Sequence, residues 1–212
     1  MELDGGFMSE KKFFSTKNVT YLAVLLALVI LFQVLSGFMK IGTTTFCLVL
    51  IPIVLGGVML GVRAGAFLGF AFGVVVIVDA LCGLDPFTLY MLNDQPVFAV
   101  LLCLIKGVAA GVVPALVYKA VAKRNERVGM FVAAALAPIV NTGIFILGAL
   151  AMSGLFMETM TAFGVDVAGL SPFYVIVVIG VGINFFVELA LNLVLAPTMN
   201  TVVKIVSRRN SK

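Results

Sequence analysis

The sequence predicts an all-α integral membrane protein, a compact bundle of six transmembrane helices, and three observations carry that reading. Of 212 residues, 62% are hydrophobic and only 11% charged, and the mean hydropathy is +1.22, far above the roughly half-apolar composition of soluble domains. Six apolar windows reach or approach the roughly 20 residues that a helix needs to cross a bilayer. Lysines and arginines gather in alternate connections between those windows, as expected of a multi-pass chain.

The first window, Val19 to Ser36, follows Lys11, Lys12 and Lys17. It is too long for the apolar core of a secretory leader, and "SGFMKIG" after it lacks an A-x-A cleavage pattern, so it reads as a retained span. The second, Phe46 to Leu60, is short and carries Pro52, which predicts a tilted, kinked or only partly spanning helix. The others run from Arg63 to Leu81, Val97 to Tyr118, Val128 to Met152 and Phe173 to Ala196. The membrane domain is thus expected over 18–206, between an N-terminal segment 1–17 and a tail 207–212.

Twelve of the 14 basic residues fall on one side: Lys11, Lys12, Lys17, Arg63, Lys119, Lys123, Arg124, Arg127, Lys204, Arg208, Arg209 and Lys212. Only Lys40 falls on the other, and Lys106 lies inside a span. That bias places both termini and the "KAVAKRNER" loop in the cytoplasm of a cell membrane. The outer loops "CGLDPFTLYMLNDQP" and "GLFMETMTAFGVDVAGLSP" are long and carry Phe87, Tyr90, Phe156 and Phe163, aromatic residues suited to covering an outward-facing pocket.

Small residues recur at helical spacing: Ala23 and Ala27; Gly65, Gly69 and Gly73; Gly107 and Gly111; Ala133 and Ala137. In lipid such pairs let helices approach closely, and packing within the bundle is their expected use. No clear repeat relates the two halves, which argues against an inverted-repeat carrier.

Histidine is absent, which removes the commonest general base and metal ligand and disfavours a membrane enzyme. The three cysteines, Cys47, Cys82 and Cys103, sit apart in apolar segments and read as buried thiols. The basic residues form no patch interleaved with exposed aromatics, so nucleic acid is not an expected partner. No metal or cofactor is implied.

Lys106, in "LLCLIKGVAAG", is the residue that most needs a reason. A charged side chain at mid-membrane costs roughly 2.5–3.5 kcal/mol on insertion scales. At about 1.5 Å of rise per residue, Lys106 lies roughly 14 Å below the outer surface, Asn141 roughly 15 Å and Asn184 roughly 16 Å. Asn184, Glu188 and Asn192 recur every fourth residue and form one polar stripe on the sixth span. Gln33 and Asp79 lie nearer the outer surface. One reading pairs Lys106 with Glu188 as a structural ion pair, with the asparagines bridging helices. The other makes the layer the lining of a ligand cavity, with Lys106 as a cationic anchor.

Several stretches resemble the substrate-binding S component of an energy-coupling factor transporter, a class of bacterial micronutrient importers. They are "LAVLLALVI" with its Ala23/Ala27 pair, "LVLIPIVLGGVMLGVRAGAFLGFAFG", "IKGVAAG", "PIVNTGIFILG" and "NFFVELALNLVLAP". The resemblance covers the chain from about Lys17 onward. It implies a six-helix protein that binds a vitamin near the extracellular side, without an ATPase of its own. It also implies docking through Ala23 and Ala27 on a transmembrane coupling subunit, which two cytoplasmic ATPases drive, and toppling in the bilayer to release cargo.

The binding residues expected are Lys106, Asn141, Asn184, Glu188, Asp79 and Gln33. A lysine among amides suits a carboxylate, and pantothenate leads among the vitamins. The alternative is a self-contained carrier or channel using Lys106 and Glu188 as an ion or proton pathway.

Overall fold

The computed structural model describes residues 16–38, 40–41, 44–45 and 48–210, excepting the side chains of 37, 40, 41, 44, 45 and 208–210. Lys11, Lys12, Cys47 and Lys212 therefore lie outside the described residues, as do the side chains of Lys40, Arg208 and Arg209.

Apart from connecting turns, the described residues are helical except for a two-residue antiparallel ladder, β1 (Lys40–Ile41) with β2 (Thr44–Thr45). The helices are α1 (Thr16–Phe38), α2 (Leu50–Leu60), α3 (Val62–Leu81), α4 (Pro86–Asp94), α5 (Pro96–Val121), α6 (Glu126–Ala151), α7 (Ser153–Ala162), α8 (Pro172–Tyr174) and α9 (Gly182–Asn210). A π-helical segment, Val175–Val181, joins α8 to α9, so one continuous helical stretch descends from Pro172. Five of these stretches are long and apolar enough to cross a membrane.

The second apolar window differs from the rest. Its helix α2 has 11 residues, about 16 Å of rise, roughly half the hydrocarbon thickness. It is nonetheless the centre of the bundle, packed against α1, α3, α5, α6 and α9. Leu50, Ile53, Val54 and Val58 are all buried within the main hydrophobic core.

The helix starts follow local chemistry. Asn125 caps α6 by accepting from the backbone N–H groups of Arg127 (3.0 Å) and Val128 (3.2 Å), satisfying amides that an N-terminus leaves unpaired. Asp85 does the same for α4, accepting from Thr88 N (3.1 Å), with Pro86 at the first helical position. Gly61 turns the chain from α2 into α3 with φ +95°, a conformation that Cβ-bearing residues avoid.

Antiparallel contact between α3 and α5 is made by glycines. A Cβ on Gly65 would stand 2.5 Å from the Gly111 carbonyl oxygen, and one on Gly73 would stand 2.7 Å from that of Cys103. Gly69 and Gly107 meet in the same way, backbone against backbone. Ala133 and Ala137 are fully buried on α6. These small residues thus pack helices together, as in other membrane bundles.

The pairing places Gly61 and the 122–125 turn at one end of the bundle. Lys204 on α9 joins that end through its contact with Glu126 (3.6 Å). This basic end also carries Arg63, Lys119, Lys123, Arg124 and Arg127, while α4 and α7 close the opposite end. Outward faces carry large apolar side chains, including Leu31, Val97, Leu147, Phe186 and Val194, as a lipid-facing belt requires. Cys103 is buried, but Cys82 is exposed, against expectation, because it falls where α3 ends and the chain turns out of the bundle.

Candidate functional site

Lys106 stands ten residues into α5, Asn141 ten residues before the end of α6, and Asn184 twelve residues after Pro172. Each is thus roughly 15–18 Å from the end of its helix that faces away from the basic end. Helix α6 packs against both α5 and α9, so the three residues share a level on neighbouring helices. Pro138 lies one turn before Asn141 and deprives the Ala134 carbonyl of its helical partner.

The stripe on α9 is internally bonded. Asn184 donates from Nδ2 to Glu188 Oε1 (3.3 Å), and Asn192 donates from Nδ2 to the Glu188 backbone carbonyl (2.9 Å). Glu188 is 2% exposed and Asn192 fully buried. Asn141 Oδ1, Asn184 Oδ1, Glu188 Oε2 and Asn192 Oδ1 are all buried and accept no hydrogen bond among the described residues. A further unpartnered amide oxygen, on Asn200, lies two turns deeper. Buried polar atoms are nearly always bonded in folded proteins, so four of them on two helices that pack together mark a place suited to something polar.

Lys106 is half-buried and faces aromatic rings. Its Nζ stands 5.4 Å from the centre of the Phe145 ring and 6.0 Å from that of Phe72, within the range of cation–π attraction. Among the described residues Lys106 makes no ion pair within 4.0 Å. The ammonium is held over rings and not on a carboxylate of the described residues.

Above this layer the long loops fold into helices, which the span prediction passed over. Phe87 of α4 packs edge-on against Phe156 of α7 at 5.2 Å and tilted against Phe145 at 6.2 Å and Phe163 at 6.5 Å. Met91, Leu102 and Leu155 continue the cover on one side, and Met160, Val175 and Ile176 on the other. Gly180, in the π segment, admits the Phe156 ring, whose edge would lie 2.7 Å from a Cβ there. Such π segments inside α-helices often occur at functional sites. Of the four loop aromatics Phe87, Phe156 and Phe163 gather, while Tyr90 and the outer face of Phe163 stay exposed. Neither Phe145 nor Phe72 stood out in the sequence, although Phe145 lies one turn from Asn141.

Gln33 and Asp79 meet each other. Gln33 Nε2 donates to Asp79 Oδ2 (3.1 Å), and both side chains are buried. This bond ties α1 to α3 near the capped end, and no bond between it and Lys106, Asn141, Asn184 or Glu188 is present among the described residues. Ala23 and Ala27 occupy a different surface. Both are exposed on α1, while Leu25 and Val29 face the core.

Residues 17–199 match the family described as ECF transporter, substrate-specific component. The pantothenic acid transporter PanT of Lactococcus lactis subsp. cremoris (strain MG1363) is 28% identical over 137 residues, covering 59% of this chain and 68% of that protein. The family is one of transport components rather than enzymes, and the apolar helices are those of a multi-pass membrane protein. The chain belongs to the ECF transporter substrate-specific component family.

Proposed function

We propose that this chain captures a carboxylate-bearing vitamin, pantothenate first among them, from outside a bacterial cell for ATP-driven import. The observation that carries the reading is the layer of unpartnered buried oxygens on α6 and α9 at the level of a lysine that no carboxylate of the described residues contacts. A ligand carboxylate there gains a charge-assisted bond from Lys106 in a water-poor setting, and ligand donors meet the open oxygens. The similarity to PanT supports pantothenate as the vitamin.

In this reading α2 is a sixth, shortened span, both termini are cytoplasmic by the basic-residue bias, and the capped end faces outward. Ala23 and Ala27 present a small-residue surface on which a transmembrane coupling subunit packs, itself driven by two cytoplasmic ATPases. The described helices of 16–210 hold no phosphate-binding G-x-x-x-x-G-K-[ST] loop, consistent with an energy source on another subunit.

The test is reconstitution. The purified chain in liposomes should bind labelled pantothenate yet accumulate none until the coupling subunit, ATPases and ATP are added. Sustained uptake by the chain alone would establish the self-contained carrier instead, and absence of pantothenate binding would remove the vitamin assignment.

A further inference from the structure

The stripe on α9 carries more information than its polarity. Amide orientation is usually ambiguous, but here the partners decide it. The Glu188 backbone carbonyl has no proton to give, so Asn192 must turn its N–H toward it. Asn184 turns its N–H to the Glu188 carboxylate. Their amide oxygens and Glu188 Oε2 are left open, three acceptors within about 12 Å of helix.

Lys106, at the same level on α5, is a donor and takes a ligand's negative end. The site thus has two chemically unlike sides.

We propose that the Asn184–Glu188–Asn192 stripe is a specificity-determining surface that reads hydrogen-bond donors on the ligand. Together with Lys106, it selects carboxylates that also carry hydroxyl or N–H groups and rejects carboxylates that carry none. This rests on the proposed capture of a carboxylate. Rejection follows because a donor-free ligand leaves these oxygens buried and unpaired, which costs more than a hydrogen bond gains. Ordered water can serve such oxygens when no ligand is bound, and a donor-free ligand that displaces it returns nothing.

The test is a calorimetric panel on the purified full chain. Pantothenate offers hydroxyls and an amide N–H, biotin offers ureido N–H groups, and nicotinate and lipoate offer a carboxylate without other donors. The better donor-bearing ligand should bind at least about a hundredfold tighter than either donor-free one. Glu188→Gln, which keeps the shape but puts an N–H donor where Oε2 is open, because Asn184 donates to the other oxygen, should shrink that ratio about tenfold. Asn184→Ala, at a half-buried position, should shrink it too and serves if Glu188→Gln folds poorly.

Nicotinate or lipoate binding as tightly as the best ligand would overturn the donor-reading surface while leaving carboxylate capture standing. A ratio unchanged in both variants would do the same. Biotin binding selectively while pantothenate fails would support the surface and remove pantothenate. Failure of all four ligands would overturn both proposals.

Discussion

The Lys106 ammonium rests 5.4 Å from the centre of the Phe145 ring, and that ring also packs against Phe87 and Phe156 of the overlying helices. One aromatic side chain therefore supports the cation from one side and the cap from the other. Cation–π contacts are worth about 0.5–2 kcal/mol depending on desolvation. Phe145→Leu, which keeps an apolar side chain but removes the π face, should weaken pantothenate binding about three- to tenfold by titration calorimetry. Unchanged affinity would mean that Lys106 does not need the ring to be positioned.

Gly107 meets the Gly69 backbone with no room for a side chain, whereas a Cβ on Gly143 would meet nothing within 4 Å. Gly107→Ala forces α3 and α5 apart and should cost about 1–3 kcal/mol, read as a clear drop in melting temperature in detergent. Gly143→Ala should be neutral or stabilising by up to about 1 kcal/mol, through helix propensity. Equal effects at both positions would deny the glycine seam its role.

Membrane spans are legible because apolar length and basic flanks are one-dimensional properties, and α1, α3, α5 and α6 follow their windows to within a few residues. The sixth window extends on to Asn210, because polar residues past Ala196 continue the helix beyond the apolar stretch. Helix α4 was also within reach, since Asp85 followed by Pro86 is a cap and a first-turn proline.

The site was legible only in part. The spacing of Asn184, Glu188 and Asn192 on one face and their level with Lys106 follow from helical geometry. What lies over Lys106, and which atom of each amide stays open, depends on contacts between distant segments. Gln33 and Asp79, 46 residues apart, show the same limit: polarity marks each as a candidate, while their bond to each other appears only once the helices pack.

The Gln33–Asp79 bond yields its own expectation. Asp79→Asn retains an oxygen acceptor for Gln33 and should leave both melting temperature and pantothenate affinity near wild type. Asp79→Leu should lower stability by about 1–3 kcal/mol, the usual effect of removing one partner of a buried bond, with affinity of the folded fraction changed less than about threefold. A large affinity loss in Asp79→Asn would place Asp79 in the ligand site.

Ala23 and Ala27 are exposed on α1 and contribute little to the core. Ala23→Val and Ala27→Val should therefore spare folding and ligand binding by the isolated chain. Both should impair assembly with the coupling subunit, seen as loss of co-purification and of uptake in reconstituted liposomes. Normal assembly would place the docking surface elsewhere.

The most direct measurement is pantothenate affinity of Lys106→Ala beside the wild type, with melting temperature recorded for both. A ligand anchor predicts binding at least tenfold weaker, about 1.4 kcal/mol, in a protein that still melts near the wild-type temperature. Unchanged affinity with lowered thermal stability would contradict the anchor and assign Lys106 to the structure of the bundle.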